Sequence, residues 1–305
     1  MKVTIDLDKL LEEGKINPAE YEKFSQFSAR STANLAFNIL VGFGVIAVSG
    51  ATLALLPTTT TAIFLGLIIA IAGIIIKQAH HKQWIVLANI CVLVGALLFS
   101  GSIIYNQHGS IGSFLLIATV YAITGTYIRS SLLTVLAILS LSSCLGVRTG
   151  YFHASYFLGV QEPTLTVIFF TILSIATYQL SKHLEADFKK IAIIASRTSV
   201  FLVNFGFLVG SLWGDHHRES GEIFAPDWVF ASLWAIVLVA TGIWAWKYNK
   251  RWLVNVVAVF GGIHFYTQWF ERLGASAETV LIAGLIALGF AIGLRYLNAN
   301  LSKET

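Results

Sequence analysis

Apolar runs near or above eighteen residues recur from Ala33 to Leu294, and nothing else in this sequence constrains its fold as tightly. A run of that length crosses a hydrocarbon core of roughly 30 Å as a helix. In lipid each backbone N–H and C=O must find its partner within the structure, so the runs read as helices rather than open strands. Ten runs are read, at about 33–56, 58–76, 84–105, 110–128, 130–147, 164–181, 191–214, 228–246, 252–270 and 277–294. Composition agrees: of 305 residues, 56% are hydrophobic and only 12% charged. The mean hydropathy is +0.75. A soluble domain carries about 25% charged residues.

The basic residues give the zigzag a direction. With the N-terminus inside, Lys2, Lys9, Lys15, Lys23, Arg30, Lys77, Lys82, Arg129, Lys182, Lys189, Lys190, Lys247, Lys250, Arg251, Arg295 and Lys303 all fall on one side. Arg197 lies just inside the seventh run, close enough to that face to snorkel. The exceptions Arg148, Arg218 and Arg272 fall on the other side. This is the positive-inside pattern, and it predicts both termini in the cytoplasm. The fourth and fifth runs are separated by little more than Arg129. Merging them would flip every later segment and destroy the bias, so two spans are expected. Seven tryptophans (Trp84, Trp213, Trp228, Trp244, Trp246, Trp252 and Trp269) fall near run ends, as an interfacial belt requires, and Trp234 alone sits deeper.

The expected fold is therefore all-α: residues 1–32 form a cytoplasmic amphipathic hairpin, 33–296 a bundle of about ten transmembrane helices, and 297–305 a cytoplasmic tail. Leu7, Leu10 and Leu11 share one helical face, Gly14 can end that helix, and Asn17-Pro18-Ala19-Glu20 has the form of a capping box that starts the next. The first thirty residues hold no apolar leader core, so the first run is expected to act as signal anchor. The connections at about 148–163 and 215–227 are read as the longest outside loops, each ending in a proline, Pro163 and Pro226.

Chemistry is sparse. Nucleic-acid binding is not expected, because the net charge of +4 sits in short loops beside spans and not on a stripe with exposed aromatics. Cys91 and Cys144 fall within apolar runs and lack metal-type spacing. Asp215, His216 and Glu219 are the metal candidates, in a segment continuing through His217, Glu222 and Asp227. Adjacent histidines do not readily point the same way, and a solvated acidic loop is the competing reading. Gly206, Gly210 and Gly214 share one face of the seventh run, and Ala283, Ala287 and Ala291 one face of the tenth. Small residues let helices approach closely in lipid, either within a bundle or between two copies in a homo-oligomer. Asn38, Asn89, Asn204, Asn255, Gln179 and His264 lie within runs. Of these, Asn204, Asn255 and His264 are the residues that a central polar cavity would use. No Asp or Glu lies near the middle of a run, and no catalytic set, cofactor motif or broken helix is found.

Leu10-Leu11-Glu12-Glu13-Gly14-Lys15-Ile16-Asn17-Pro18-Ala19-Glu20-Tyr21 resembles the Leu-x-x-Gly-x-Ile-x-x-x-Glu hairpin that opens many bacterial predicted multispan membrane proteins of unknown function. Gly125-Thr-Tyr-Ile-Arg129-Ser-Ser-Leu-Leu-Thr-Val-Leu136 looks like the tight Arg-Ser turn between consecutive spans in the same families. The resemblance implies a multispan inner-membrane protein and carries no catalytic residue to transfer. Two functions follow as expectations. One is a non-enzymatic membrane protein without cofactor, whose hairpin recruits a protein partner. The other is a small-molecule transporter resembling the drug/metabolite superfamily, which shares ten spans, cytoplasmic termini and a length near three hundred residues.

Overall fold

The computed structural model describes residues 7–79, 82–152, 155–216 and 223–301. The chain divides into two compact units, 1–140 and 141–305. His80, His81, His217, Arg218, Glu219 and Glu222 lie outside the described residues, and with them the metal reading at Glu219.

The first unit opens with α1 (Leu7–Glu12) and α2 (Pro18–Leu55). Gly14 turns the chain at φ +66°. The expected capping box is present: Asn17 Oδ1 accepts from the Glu20 backbone N–H at 2.8 Å, and Glu20 Oε2 accepts from the Asn17 N–H at 2.9 Å. The boundary expected at residue 32 is absent, because α2 runs through it without a break. The physical reason is plain in the sequence: no glycine or proline occurs between Pro18 and Gly42, so nothing stops a helix once the capping box has started it.

There follow α3 (Thr59–Gln78), α4 (Ile85–Asn106), α5 (Ile111–Tyr127) and α6 (Ser131–Cys144). The antiparallel pair α3 and α4 is the closest in the unit, and glycines set its spacing. A Cβ on Gly95 would stand 2.5 Å from both the Ala70 N and the Gly66 O, and one on Gly73 would stand 2.8 Å from the Ala88 O. Val92, Ala96, Ile117, Tyr121, Leu133 and Ala137 form the core across α4, α5 and α6. The Tyr121 hydroxyl donates to the Ala96 carbonyl, joining α5 to α4.

The chain breaks between α5 and α6 at Arg129, where φ is +53°. The Ser130 N–H donates to the Gly125 carbonyl at 2.8 Å, and the Arg129 N–H to the Thr126 carbonyl at 3.3 Å. These paired bonds are a Schellman motif with arginine at the left-handed position that glycine usually fills. The same bond pattern closes α4 at His108 and a later helix at Asn249.

The second unit contains a hairpin of β1 (Arg148–Phe152) and β2 (Ser155–Gly159), then α7 (Pro163–Leu180) and α8 (Ala186–Trp213). A small hairpin of β3 (Asp215–His216) and β4 (Ile223–Ala225) leads into α9 (Asp227–Lys247), α10 (Arg251–Leu273) and α11 (Ala277–Leu301). Both long connections expected to be loops thus carry antiparallel strand pairing, from Arg148↔Gly159 to Phe152↔Ser155 in the first. Tyr151, Phe152, Tyr156 and Phe157 supply the aromatic content that strands favour.

Among the described residues the protein is otherwise all helical. Six helices are long and apolar enough to cross a membrane: Asn34–Leu55 of α2, then α3, α4, α7, α8 and α9. α5, α6 and the Ala277–Gly289 part of α11 are apolar but shorter. α10 is long, but Arg251, Asn255, His264, Gln268, Glu271 and Arg272 reduce its apolar character.

Candidate functional site: an aromatic cluster around Trp234

Most buried serines and threonines bond back to their own helix, but two buried polar residues, Asn38 and Asp215, cap helices in which they do not lie. Asn38 of α2 is 2% exposed. Its Nδ2 donates to the Gln83 carbonyl at 2.7 Å, and its Oδ1 accepts from the Leu87 N–H at 3.0 Å. Leu87 lies in the first turn of α4, whose own N-cap residue, Trp84, supplies no side-chain bond. The first-turn N–H groups of a helix have no partner within it. Asn38 therefore caps α4 from a neighbouring helix.

Asp215 does the same for α7. It is 4% exposed, and its Oδ2 accepts from the Thr164 N–H at 3.0 Å. The N-cap of α7, Glu162, makes no side-chain bond of its own. A carboxylate is well placed there, because the helix dipole is positive at its N-terminus. Asp215 thus points into the protein, whereas its neighbour His216 is exposed. Among the described residues no group of three His, Cys, Asp or Glu side chains is placed to hold a metal ion.

The glycine face on α8 packs within its own unit. A Cβ on Gly206 would stand 3.0 Å from Val167 Cγ2 on α7, and one on Gly210 would stand 2.5 Å from the Phe230 ring on α9. Gly214 has a separate job: it ends α8 at φ +68°, with the Ala225 carbonyl 2.8 Å from where its Cβ would lie. On α11, Ala283 is buried and its carbonyl accepts from the Tyr266 hydroxyl at 3.5 Å.

The three residues expected at a polar cavity meet different neighbours. Asn204 of α8 and His264 of α10 both meet Trp234 of α9, which is fully buried. The indole N–H donates to Asn204 Oδ1 at 3.0 Å, and Asn204 Nδ2 donates to the Val200 carbonyl at 2.8 Å. An indole can only donate, so a buried tryptophan needs such an acceptor. Phe207 lies parallel to the indole at 6.4 Å, Phe260 is tilted against it at 6.5 Å, and the His264 ring meets it edge-on at 4.8 Å. Phe230 and Leu238 complete this cluster. His264 Nδ1 is buried with no hydrogen-bond partner among the described residues. The surroundings of Asn204 and His264 are thus aromatic and closely packed.

Asn255 lies elsewhere. It is exposed and lines an open groove of about 410 Å³ between α8 and α10, with Phe201, Phe205, Leu208, Val259 and Ile263 among the other walls. At one end of this groove the Arg197 guanidinium lies 5.0 Å from the centre of the Trp252 ring. In the sequence Arg197 reads only as an orienting charge, and nothing there pairs it with Trp252. The depth of Trp234, alone among the tryptophans, is the sequence signal for the cluster. No protein-family model, curated protein or solved structure matches the chain.

Proposed function

We propose that this chain is a ten-span protein of the bacterial inner membrane with both termini in the cytoplasm, non-enzymatic, that presents its N-terminal hairpin to a protein partner. The observation that carries the reading is the continuity of α2. At 1.5 Å per residue its 38 residues extend about 57 Å. Its apolar part, Asn34–Leu55, accounts for 22 of them, about 33 Å and enough for the bilayer. The remaining turns, from Pro18 to Ala33, would carry α1 and its turn beyond the hydrocarbon on a stiff stalk. A helix that passes unbroken from the membrane into water fixes the position of what it carries, as a flexible tether does not. The hairpin is also chemically distinct from the spans: Glu12, Glu13, Glu20, Glu22, Lys15 and Lys23 surround Leu10, Leu11 and Tyr21.

The charge pattern supports the orientation. The connections after α3, α5, α7 and α9 carry the basic residues Lys82, Arg129, Lys182 and Lys250. The engagement of Asn204 by Trp234 favours a packed, non-transporting role for this region over the transporter reading.

The experiment compares proteins that co-purify with the full chain, with a variant lacking residues 1–17, and with Ser28→Pro in the stalk. A proline within a helix costs about 3 kcal/mol or more and would bend the stalk. Both variants are expected to lose the same specific partner while keeping the melting temperature of the bundle. An unchanged set of partners would overturn the proposal. So would stabilisation of the intact chain by a member of a metabolite panel, the result a carrier gives.

A further inference from the structure

The groove between α8 and α10 combines three features along one line. Its walls are apolar: Phe201, Phe205 and Leu208 on α8 face Val259, Phe260 and Ile263 on α10. The exception among its lining residues is Asn255, which is exposed and has no hydrogen-bond partner among the described residues. At the Phe201 end, one turn back on each helix, stands the exposed Arg197 against Trp252, beside Arg251. No acidic residue occurs from 188 to 214 or from 228 to 270, so no carboxylate on α8 or α10 competes for Arg197 near that end.

We infer that this groove is a binding site for an anionic phospholipid of the cytoplasmic leaflet, an inference that rests on the membrane placement proposed above. Its phosphate would meet Arg197, a glycerol ester carbonyl would accept from Asn255 Nδ2, and one acyl chain would lie along the phenylalanines. The depths agree. Asn255 is three residues beyond Trp252, about 4.5 Å deeper along the helix, as an ester lies below its phosphate. From Arg197 to Leu208 is about 16 Å of helix, close to one leaflet of a hydrocarbon core of roughly 30 Å. The cation–π contact with Trp252 uses none of the guanidinium N–H donors as a hydrogen bond, so they suit a phosphate. A second copy of the chain is the less favourable occupant. A two-fold axis along the membrane normal would hold the Arg197 and Arg251 charges of both copies at one depth, close together.

The test uses the full chain in nanodiscs containing equal amounts of phosphatidylglycerol and phosphatidylcholine, each in turn carrying a photoreactive group in its acyl chain. Crosslinks from phosphatidylglycerol are expected to concentrate on residues 201–208 and 255–263. Lipid retained on the purified protein, read by native mass spectrometry, should favour phosphatidylglycerol, and Arg197→Gln should reduce that preference by about tenfold or more. Val259→Trp, which fills the groove, should abolish retention of both lipids there. The inference is overturned by equal retention of the two lipids on the wild-type chain or by crosslinks scattered over all apolar helices. It is also overturned by displacement of the lipid with inorganic phosphate alone, or by a dimer that Val259→Trp converts to monomer. The wild-type crosslinks decide the matter even where a variant does not fold. Failure of the membrane placement itself would look different, because neither lipid would then label the chain anywhere.

Discussion

At the scale of single residues, the same amino acid acts in opposite directions at different places, and the glycines show it most sharply. Gly95 sits where α4 meets α3, and a Cβ there would collide with backbone atoms of Ala70 and Gly66 at 2.5 Å. Backbone cannot swing aside as a flexible side chain can, so the two helices would have to separate. Gly44 of α2 faces open space, with no atom within 4 Å of its would-be Cβ. There alanine adds only helix propensity, about 1 kcal/mol in favour of the folded chain. Gly95→Ala is therefore expected to lower the melting temperature of the purified protein, by an amount matching about 1–3 kcal/mol of overpacking. Gly44→Ala should leave it unchanged or raise it. Thermal unfolding followed by tryptophan fluorescence measures both, and a fall of equal size in the two variants would refute the packing argument. Gly206 and Gly210 were legible as a close-packing face because they recur at four-residue spacing. Gly66, Gly73 and Gly95 lie on two different helices, and no single-helix pattern reveals which glycines will face each other. The uses of Asn38 and Asp215 escaped the sequence for the same reason: each caps a helix in which it does not lie.

At the scale of elements, starts and stops were the legible part, because caps and breakers act within a few residues. The Asn17-to-Glu20 box, Pro163 at the start of α7 and the break at Arg129 all follow local chemistry. The hairpins at Arg148–Gly159 and Asp215–Ala225 were not foreseen, since short strands depend on a partner segment and have no strong local signal. The Arg129 turn carries a testable tension. Its left-handed backbone disfavours any side chain, by roughly 1–2 kcal/mol for an ordinary L-residue. Glycine removes that strain, although part of the gain is returned through its freer unfolded chain. Arg129→Gly should thus be at least as stable as the parent. Arg129→Val should lose about 1–2 kcal/mol, because a β-branched residue is poorest at positive φ. Melting temperatures in one detergent at one lipid content provide the comparison. If valine matched glycine, the turn would have a conformation other than the Schellman motif described.

At the scale of the whole molecule, the charge pattern is the same for two arrangements of α5 and α6. Their 17 and 14 residues give about 25 Å and 21 Å of helix, short of the roughly 20 residues a span needs. Two arrangements keep every later segment on its own side. In one, α5 and α6 each cross a locally thinned bilayer and Arg129 emerges in the cytoplasm. In the other they form a re-entrant pair that begins and ends outside, with Arg129 held within the membrane. The parity of the remaining helices is the same in both, so the distribution of lysine and arginine elsewhere is silent. Burial of an arginine at depth costs about 2.5–3.5 kcal/mol on insertion scales, and Arg129 is exposed in its own unit. That cost favours two crossings. Tyr127, beside the turn and 80% exposed, is the position to probe. In a background with Cys91→Ala and Cys144→Ser, Tyr127→Cys should resist a membrane-impermeant maleimide in intact cells and react once the cytoplasmic face is opened. Gln107→Cys, in the turn before α5, should react in intact cells, and Asn249→Cys, in the turn between α9 and α10, should behave as Tyr127→Cys does. Protection of Tyr127→Cys from both sides would establish the re-entrant pair and reduce the proposed ten crossings to eight, with both termini still on the same side.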